Sequence, residues 1–263
     1  MNRRQERMLR QAATRHGRRK TGLFLCEGTR CCREALLHKP QWVVLALQDQ
    51  AFSAVPGGSP FRELCNTHAI ELCTVSPEHL ASFAETETPQ GILLLMRRQD
   101  PAPLDGCLED PFVLVLDALG DPGNLGTILR TAAAAGLHET WTTAGTTDPF
   151  GAKAVRAGMG AQFRLTLRTF ADVDALRGAF ADVDISDVWL TTPGEGLSCY
   201  SPDFQLRKSA LVIGNEAHGA REFHGARRVT IPMPGGSESL NVAQAATILI
   251  FEGVRRGVLL RGG

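Results

Sequence analysis

Apolar and polar positions alternate along the chain in blocks that predict a succession of short strands and helices. In the opening twenty residues Met8, Leu9 and Ala12 form a weak helical stripe within a polar run, and Gly22 breaks the pattern. Leu23 to Cys26 is a short apolar run suited to a buried strand. Arg30 to His38 then reads as a helix stopped before Pro40, Trp42 to Leu47 as a strand, Pro60 to His68 as a helix, and Gly91 to Met96 as a second buried strand. Together these predict a small α/β domain over residues 1–98.

The stretch from Gln99 to Pro111 (QDPAPLDGCLEDP) carries three prolines, four acids and one glycine, so it has no face of its own to bury and predicts a linker over 99–111. Beyond it, apolar strands are expected at Phe112 to Leu116, Thr140 to Thr143, Phe163 to Leu167, Val188 to Thr191, Ala210 to Ile213 and Val229 to Ile231. Segments of helical composition separate them. Continuous apolar strands alternating with helices imply a parallel sheet covered on both faces, here a second α/β domain over 112–263.

Composition changes this picture little. A chain of 263 residues with 43% apolar content is ordinary for a globular protein. It contains no run of about 18 apolar residues, and its start, Met-Asn-Arg-Arg, lacks an apolar secretory stretch, so the expectation is a cytoplasmic protein without membrane contact. Seven cysteines without a C-x-x-C pair predict reduced thiols, and neither a disulfide framework nor a metal site. Charge adds more. Residues 1 to 98 hold 14 Lys/Arg against 9 Asp/Glu, whereas 99 to 263 hold 14 against 19. Eight of the basic residues lie within the first twenty positions, opposed there only by Glu6, a cluster able to neutralise nucleic-acid phosphates and equally able to be a solvated terminal helix.

In an open α/β sheet ligands sit at the carboxyl ends of strands. Three such places are unusual here. The first, Asp117 to Ala132 (DALGDPGNLGTILRTA), turns tightly through Pro122 and Gly123, offers Asn124 as a helix cap, and sets Arg130 among small and apolar residues. Capping accounts for Asn124 but not for the arginine. The second, Leu211 to Gly219 (LVIGNEAHG), ends a buried strand at Gly214, where a ligand could approach the backbone; Asn215 and Glu216 follow. The third, Ile231 to Glu252, passes through Pro232, Pro234, Gly235 and Gly236 into a helix opened by Ser239, Leu240 and Asn241. Asn241 with Gln244 has capping-box spacing, and a helix start beside a glycine-rich loop offers backbone donors to a ligand. Neither G-x-G-x-x-G after the first strand nor G-x-x-x-x-G-K-[ST] is present, so an NAD site or P-loop is not supported. A hydrolase using Ser239 lacks the G-x-S-x-G elbow, and His218 is the nearest motif histidine.

Jointly the three segments resemble the signature motifs of the SpoU (TrmH-type) branch of the SPOUT RNA methyltransferases: D-P-x-N-x-G-x-x-x-R-T-A at Asp121 to Ala132, G-x-E-x-x-G at Gly214 to Gly219, and I-P-M-x-G-x-x-x-S-L-N-V at Ile231 to Val242. FLCEGTRCCREAL, Phe24 to Leu36, is similar to the start of the L30e-like RNA-binding domain that many members carry. The chain departs from the commonest pattern at Ala133, Gly158 and Ala243. The resemblance implies a trefoil-knotted parallel-sheet domain that binds S-adenosylmethionine and transfers its methyl group to a ribose 2′-hydroxyl without a metal. It implies catalytic roles for Arg130, Asn124, Glu216, Ser239 and Asn241. Cofactor contacts are implied for Thr192, Gly214, Asn215, Ile231, Met233, Leu240 and Asn241. Ribosomal RNA is the expected substrate and transfer RNA the next. The resemblance implies a homodimer; the apolar helix Val242 to Val254 suits a buried interface and equally a core helix. The rival within the same fold is a non-catalytic RNA-binding factor in ribosome assembly.

Overall fold

The computed structural model describes residues 1–54, 58–215 and 219–259. In chain order its elements are α1 (Arg3–Ala13), α2 (Arg15–Thr21), β1 (Leu23–Glu27), α3 (Thr29–His38), β2 (Val43–Asp49), α4 (Gln50–Ser53), α5 (Gly58–Thr67), β3 (Leu72–Val75), α6 (Pro77–Ala81) and β4 (Ile92–Arg97). There follow β5 (Phe112–Leu116), α7 (Pro122–Ala134), β6 (Glu139–Thr143), α8 (Ala152–Gly158), β7 (Thr166–Phe170), α9 (Val173–Asp182), β8 (Asp187–Thr191), β9 (Leu197–Ser198), β10 (Ser209–Ile213), β11 (Arg227–Thr230) and α10 (Val242–Arg255). The chain divides into two compact units, Met1–Asp100 with Asp148–Arg164, and Pro101–Thr147 with Leu165–Gly263. Residues 148–164, assigned from the sequence to the second domain, therefore group with the first unit.

The first unit is built on a four-stranded mixed sheet, ordered β1-β4-β2-β3, in which β4 pairs antiparallel with both β1 and β2, and β2 parallel with β3. Every residue of β1 is buried because both faces of the sheet are covered. Leu23 and Leu25 face a core completed by Leu9 and Ala12 of α1 together with Leu45, Leu47, Leu93 and Leu95. Phe24 meets Trp42, Phe150 and Phe163 at ring-centroid distances of 6.4, 4.8 and 6.3 Å. The basic leader is thus an integral element, anchored by Leu9 (0% exposed) and opened by a capping box between Asn2 and Gln5.

The second unit is a seven-stranded, wholly parallel sheet ordered β7-β6-β5-β10-β8-β11-β9. Strands β5 and β10 are its centre and are buried at every residue, as continuous apolar runs covered on both faces must be. Val113, Val115, Trp141 and Val212 form one core with Leu176 and Phe180 of α9. Elsewhere α7 and α10 pack side by side.

Two expectations need correction. The strand expected at Phe163 to Leu167 begins at Thr166: Ala161–Phe163 is a 3₁₀ turn, and Phe163 belongs to the aromatic core of the first unit. Helix α7 is capped by Asp121, whose side chain accepts from Asn124 N at 2.8 Å; Pro122 takes the first helical position, so Asn124 is the third residue inside the helix and donates to the cap instead of being it. The last expected strand is observed as β11, ending one residue earlier than read.

All seven cysteines are unbridged, and five are buried. Burial pushes the Cys65 thiol up to about 11 and the Cys26 thiol well above its usual value, which keeps both inert. Among the described residues no helix is long and apolar enough to cross a membrane.

Candidate active site

The three unusual segments converge at the carboxyl edge of the parallel sheet, where β5, β8, β10 and β11 end. Asp117, the residue after β5, is fully buried. Its carboxylate accepts from Arg221 N at 2.7 Å, from Arg221 Nε at 2.8 Å and from Thr143 Oγ1 at 2.6 Å. Burial alone would raise its pKa; the hydrogen bonds from Arg221 and Thr143 outweigh that and hold the carboxyl below its ordinary value. Ala118 follows with a positive φ of 54°, a conformation costly for a residue with a Cβ. It is held by Thr143 Oγ1, which accepts from its N–H at 3.2 Å, and by Asn215 Nδ2, which donates to its carbonyl at 2.8 Å.

The end of β10 shows why glycine stands at 214. A Cβ there would lie 1.9 Å from Ala220 N and 2.2 Å from Gly219 C, so the close approach is made by the protein's own returning backbone rather than by a ligand alone. Asn215 and Gly219 exchange backbone hydrogen bonds, both 2.9 Å. Glu216, a predicted catalytic residue, and His218 lie outside the described residues.

The third segment supplies the junction with the first. Asn241 caps α10, its Oδ1 accepting from Ala243 N at 2.9 Å and Gln244 N at 3.4 Å, while its Nδ2 donates to Asn124 Oδ1 at 3.1 Å. Farther along the same helices the hydroxyls of Thr131 and Thr247 meet at 3.3 Å. Two contacts advancing together along both helices make α7 and α10 parallel neighbours, with their amino termini side by side. The positive ends of both dipoles therefore meet at Asn124 and Asn241, a setting that favours an anionic group. Arg130 is exposed on α7 and makes no hydrogen bond or ion pair among the described residues.

Beside this junction lies a cavity of about 600 Å³, a volume ordinary for a small-molecule site. Thr192, Gly214, Asn215, Ile231, Met233, Leu240 and Asn241, the residues expected to hold the cofactor, all line it, as does Ser239. Arg130 and Asn124 do not. Among the described residues no histidine lines it.

The SpoU rRNA Methylase family model matches residues 111–251, more than half of the chain and all of these segments. The chain belongs to the SpoU family. An MRM3-like substrate binding domain model matches residues 5–94. Among relatives, the 23S rRNA (guanosine(2553)-2′-O)-methyltransferase RlmP of Bacillus subtilis is 31% identical over 246 residues, covering 90% of this chain and 91% of that protein. The mitochondrial rRNA methyltransferase 3 of Mus musculus is 32% identical over 245 residues, or 71% of this chain; the match spans 58% of the mouse protein's length. Among solved structures, the SpoU methyltransferase AviRb of Streptomyces viridochromogenes in complex with the cofactor AdoMet superposes with a TM-score of 0.79 at 26% identity, covering 98% of this chain and 99% of that one.

Several residues of this SpoU site carry no sequence signal. The Asp117–Arg221 pair joins positions 104 residues apart, and only burial and hydrogen bonding reveal it. At the cavity mouth Arg228 bridges Glu222 at 2.6 Å and Glu195 at 3.3 Å. Thr230 lines the cavity, and its Oγ1 is buried without a hydrogen-bond partner among the described residues. A buried hydroxyl left unsatisfied costs about 1–3 kcal/mol, which a polar ligand atom would recover. The wall thus fits a nucleoside-like group: apolar sides from Ile231, Leu240 and Leu249, main chain at Gly214, and one waiting hydroxyl.

Proposed function

We propose that this chain transfers a methyl group from S-adenosylmethionine to a ribose 2′-hydroxyl of ribosomal RNA. The observation that carries this reading is the cavity at the sheet's carboxyl edge, joined by Asn241 to Asn124 at the start of α7. Bound there, the cofactor supplies an electrophilic methyl on a sulfonium. Gly214, Ile231 and Leu240 would hold its adenine, chiefly through main chain, with Thr192, Asn215 and Met233 completing the wall. Thr230 Oγ1 would gain a partner from a polar atom of the group.

Arg130 serves as an electrostatic clamp on the substrate. A guanidinium, which holds its proton strongly, is a poor base, whereas an exposed one lacking an internal partner among the described residues is available to grip a phosphate and steady the developing charge. Asn124 and Asn241 hold the two helix starts together, and Ser239 and Glu216 complete the site. Residues 1–98 bind the RNA and 112–263 carry the reaction. The loops around Gly214 and 231–241 are the threads of a trefoil knot, and the protein works as a homodimer. Support for the dimer is Phe251 on α10, a large apolar side chain left 44% accessible on the exposed side of the helix.

Incubation of the protein with methyl-labelled cofactor and total RNA tests the reading. Label is expected in ribosomal RNA and is expected to fall by about 10²–10³ in Arg130→Ala, the size of effect typical for a lost charge-stabilising donor. Absence of label in every RNA class, or full activity in the variant, contradicts it.

A further inference from the structure

The basic leader has a structure that the methyl-transfer site does not use. Arg3, Arg7 and Arg10 recur at helical spacing and so share one face of α1, opposite the buried Leu9 and Ala12. This face and Lys20 of α2 line a groove of about 620 Å³ whose wall also includes His16 and a single acid, Glu6, which is itself 3.6 Å from His79 Nε2.

The groove is preformed. Thr14 ends α1 and begins α2, its Oγ1 accepting from Gly17 N at 3.0 Å. Gly17 lies so close beneath α1 that a Cβ would stand 2.0 Å from Gln11 O. Arg18 locks the elbow by donating to Ala12 O and Ala13 O and by its 2.6 Å ion pair with Asp148. Arg18 is therefore structural. In contrast Arg3, Arg4, Arg7, Arg15, Arg19 and Lys20 are exposed and have no acidic partner among the described residues. Unneutralised guanidinium groups held on a rigid elbow match phosphate oxygens, which they can bind two at a time. Residues 1–22 contain no Phe, Tyr or Trp, so His16 is the one ring on the groove wall, and stacking on it would be as sequence-tolerant as the phosphate contacts.

We infer that the α1–α2 groove grips the phosphodiester backbone of RNA without reading its sequence, supplying affinity and salt dependence but not the choice of nucleotide. The inference rests on the proposed action on RNA. It divides the work: contacts to backbone position a nucleic acid, whereas specificity must come from elsewhere in the molecule.

The test compares the full chain with the triple variant Arg3→Gln, Arg7→Gln, Lys20→Gln, three exposed positions whose loss leaves Leu9, Gly17 and Arg18 in place. Fluorescence anisotropy with two labelled hairpin RNAs of unrelated sequence, titrated from about 50 to 300 mM salt, reads affinity and its salt slope. The expected result is a Kd about tenfold or more higher for both hairpins and a log–log slope shallower by about 2 to 3, one counterion contribution of about 0.7–0.9 per lost contact. Cofactor affinity and turnover at saturating RNA are expected to be unchanged. Equal Kd and slope in variant and parent overturn the inference, as does a loss confined to one hairpin, or a loss of binding to anionic phospholipid vesicles with RNA binding intact. If the chain binds RNA through the groove yet transfers no methyl group, the proposed reaction fails and the groove stands.

Discussion

Asp117 is a fully buried charge at the candidate site. It is answered by Arg221 and Thr143, and removing one side of such a pair costs more than the pair itself contributes. Because Asp117 titrates below its unfolded value of about 3.9, its contribution to stability is complete above that value and is lost as pH falls through the lower folded value. The melting temperature of Asp117→Asn should therefore lie below that of the parent at neutral pH, with the gap closing below about pH 4. A gap independent of pH would contradict this assignment. Gly214 sets a steric limit of a different kind. With Ala220 N only 1.9 Å from where a Cβ would sit, Gly214→Ala should cost about 3 kcal/mol or more in urea unfolding and weaken cofactor binding in calorimetry. An alanine variant as stable as the parent would show that the turn is not packed as described.

At the scale of elements, the leader helix α1 is the clearest case of structure hidden by charge. Its sequence is mostly arginine and glutamine, yet Leu9 and Ala12 are buried in the core beneath the mixed sheet. Leu9→Ala should destabilise the protein by about 2–5 kcal/mol, measured by chemical unfolding, whereas Arg4→Ala on the exposed side should change stability by about 0.5 kcal/mol at most. Equal effects would mean that the helix is not docked. Strands buried on both faces, such as Phe112–Leu116 and Ser209–Ile213, were plain from their unbroken apolar runs. Strand β3 at the sheet edge left no such trace, since only Val75 of its four residues is buried. Phe163 misled for a physical reason: it is apolar because it packs on Phe24, and its neighbours in sequence enter another sheet. Capping chemistry was similarly ambiguous, with Asp121 and Asn124 both able to cap and the intervening Pro122 deciding between them. The cavity-lining residues came through the likeness of three motifs to a known family, not through spacing alone. The Asp117–Arg221 contact was illegible, because nothing in one sequence joins residues so far apart.

At the scale of the whole molecule, the first α/β unit carries the basic elbow, and the second the cavity and the paired helix starts. A homodimer built on α10 should sediment at twice the monomer mass of 28.4 kDa at micromolar concentration, and Phe251→Glu should shift it toward monomer. A parent that sediments as a monomer would remove that part of the account. The central claim concerns the atom that receives the methyl group. Nuclease digestion of ribosomal RNA after reaction, with mass spectrometry of the resulting nucleosides, reads that atom directly. The account predicts a single 2′-O-methylated nucleoside that appears with the parent and disappears with Arg130→Ala; a methyl group on a base, or none on ribosomal RNA, would contradict it.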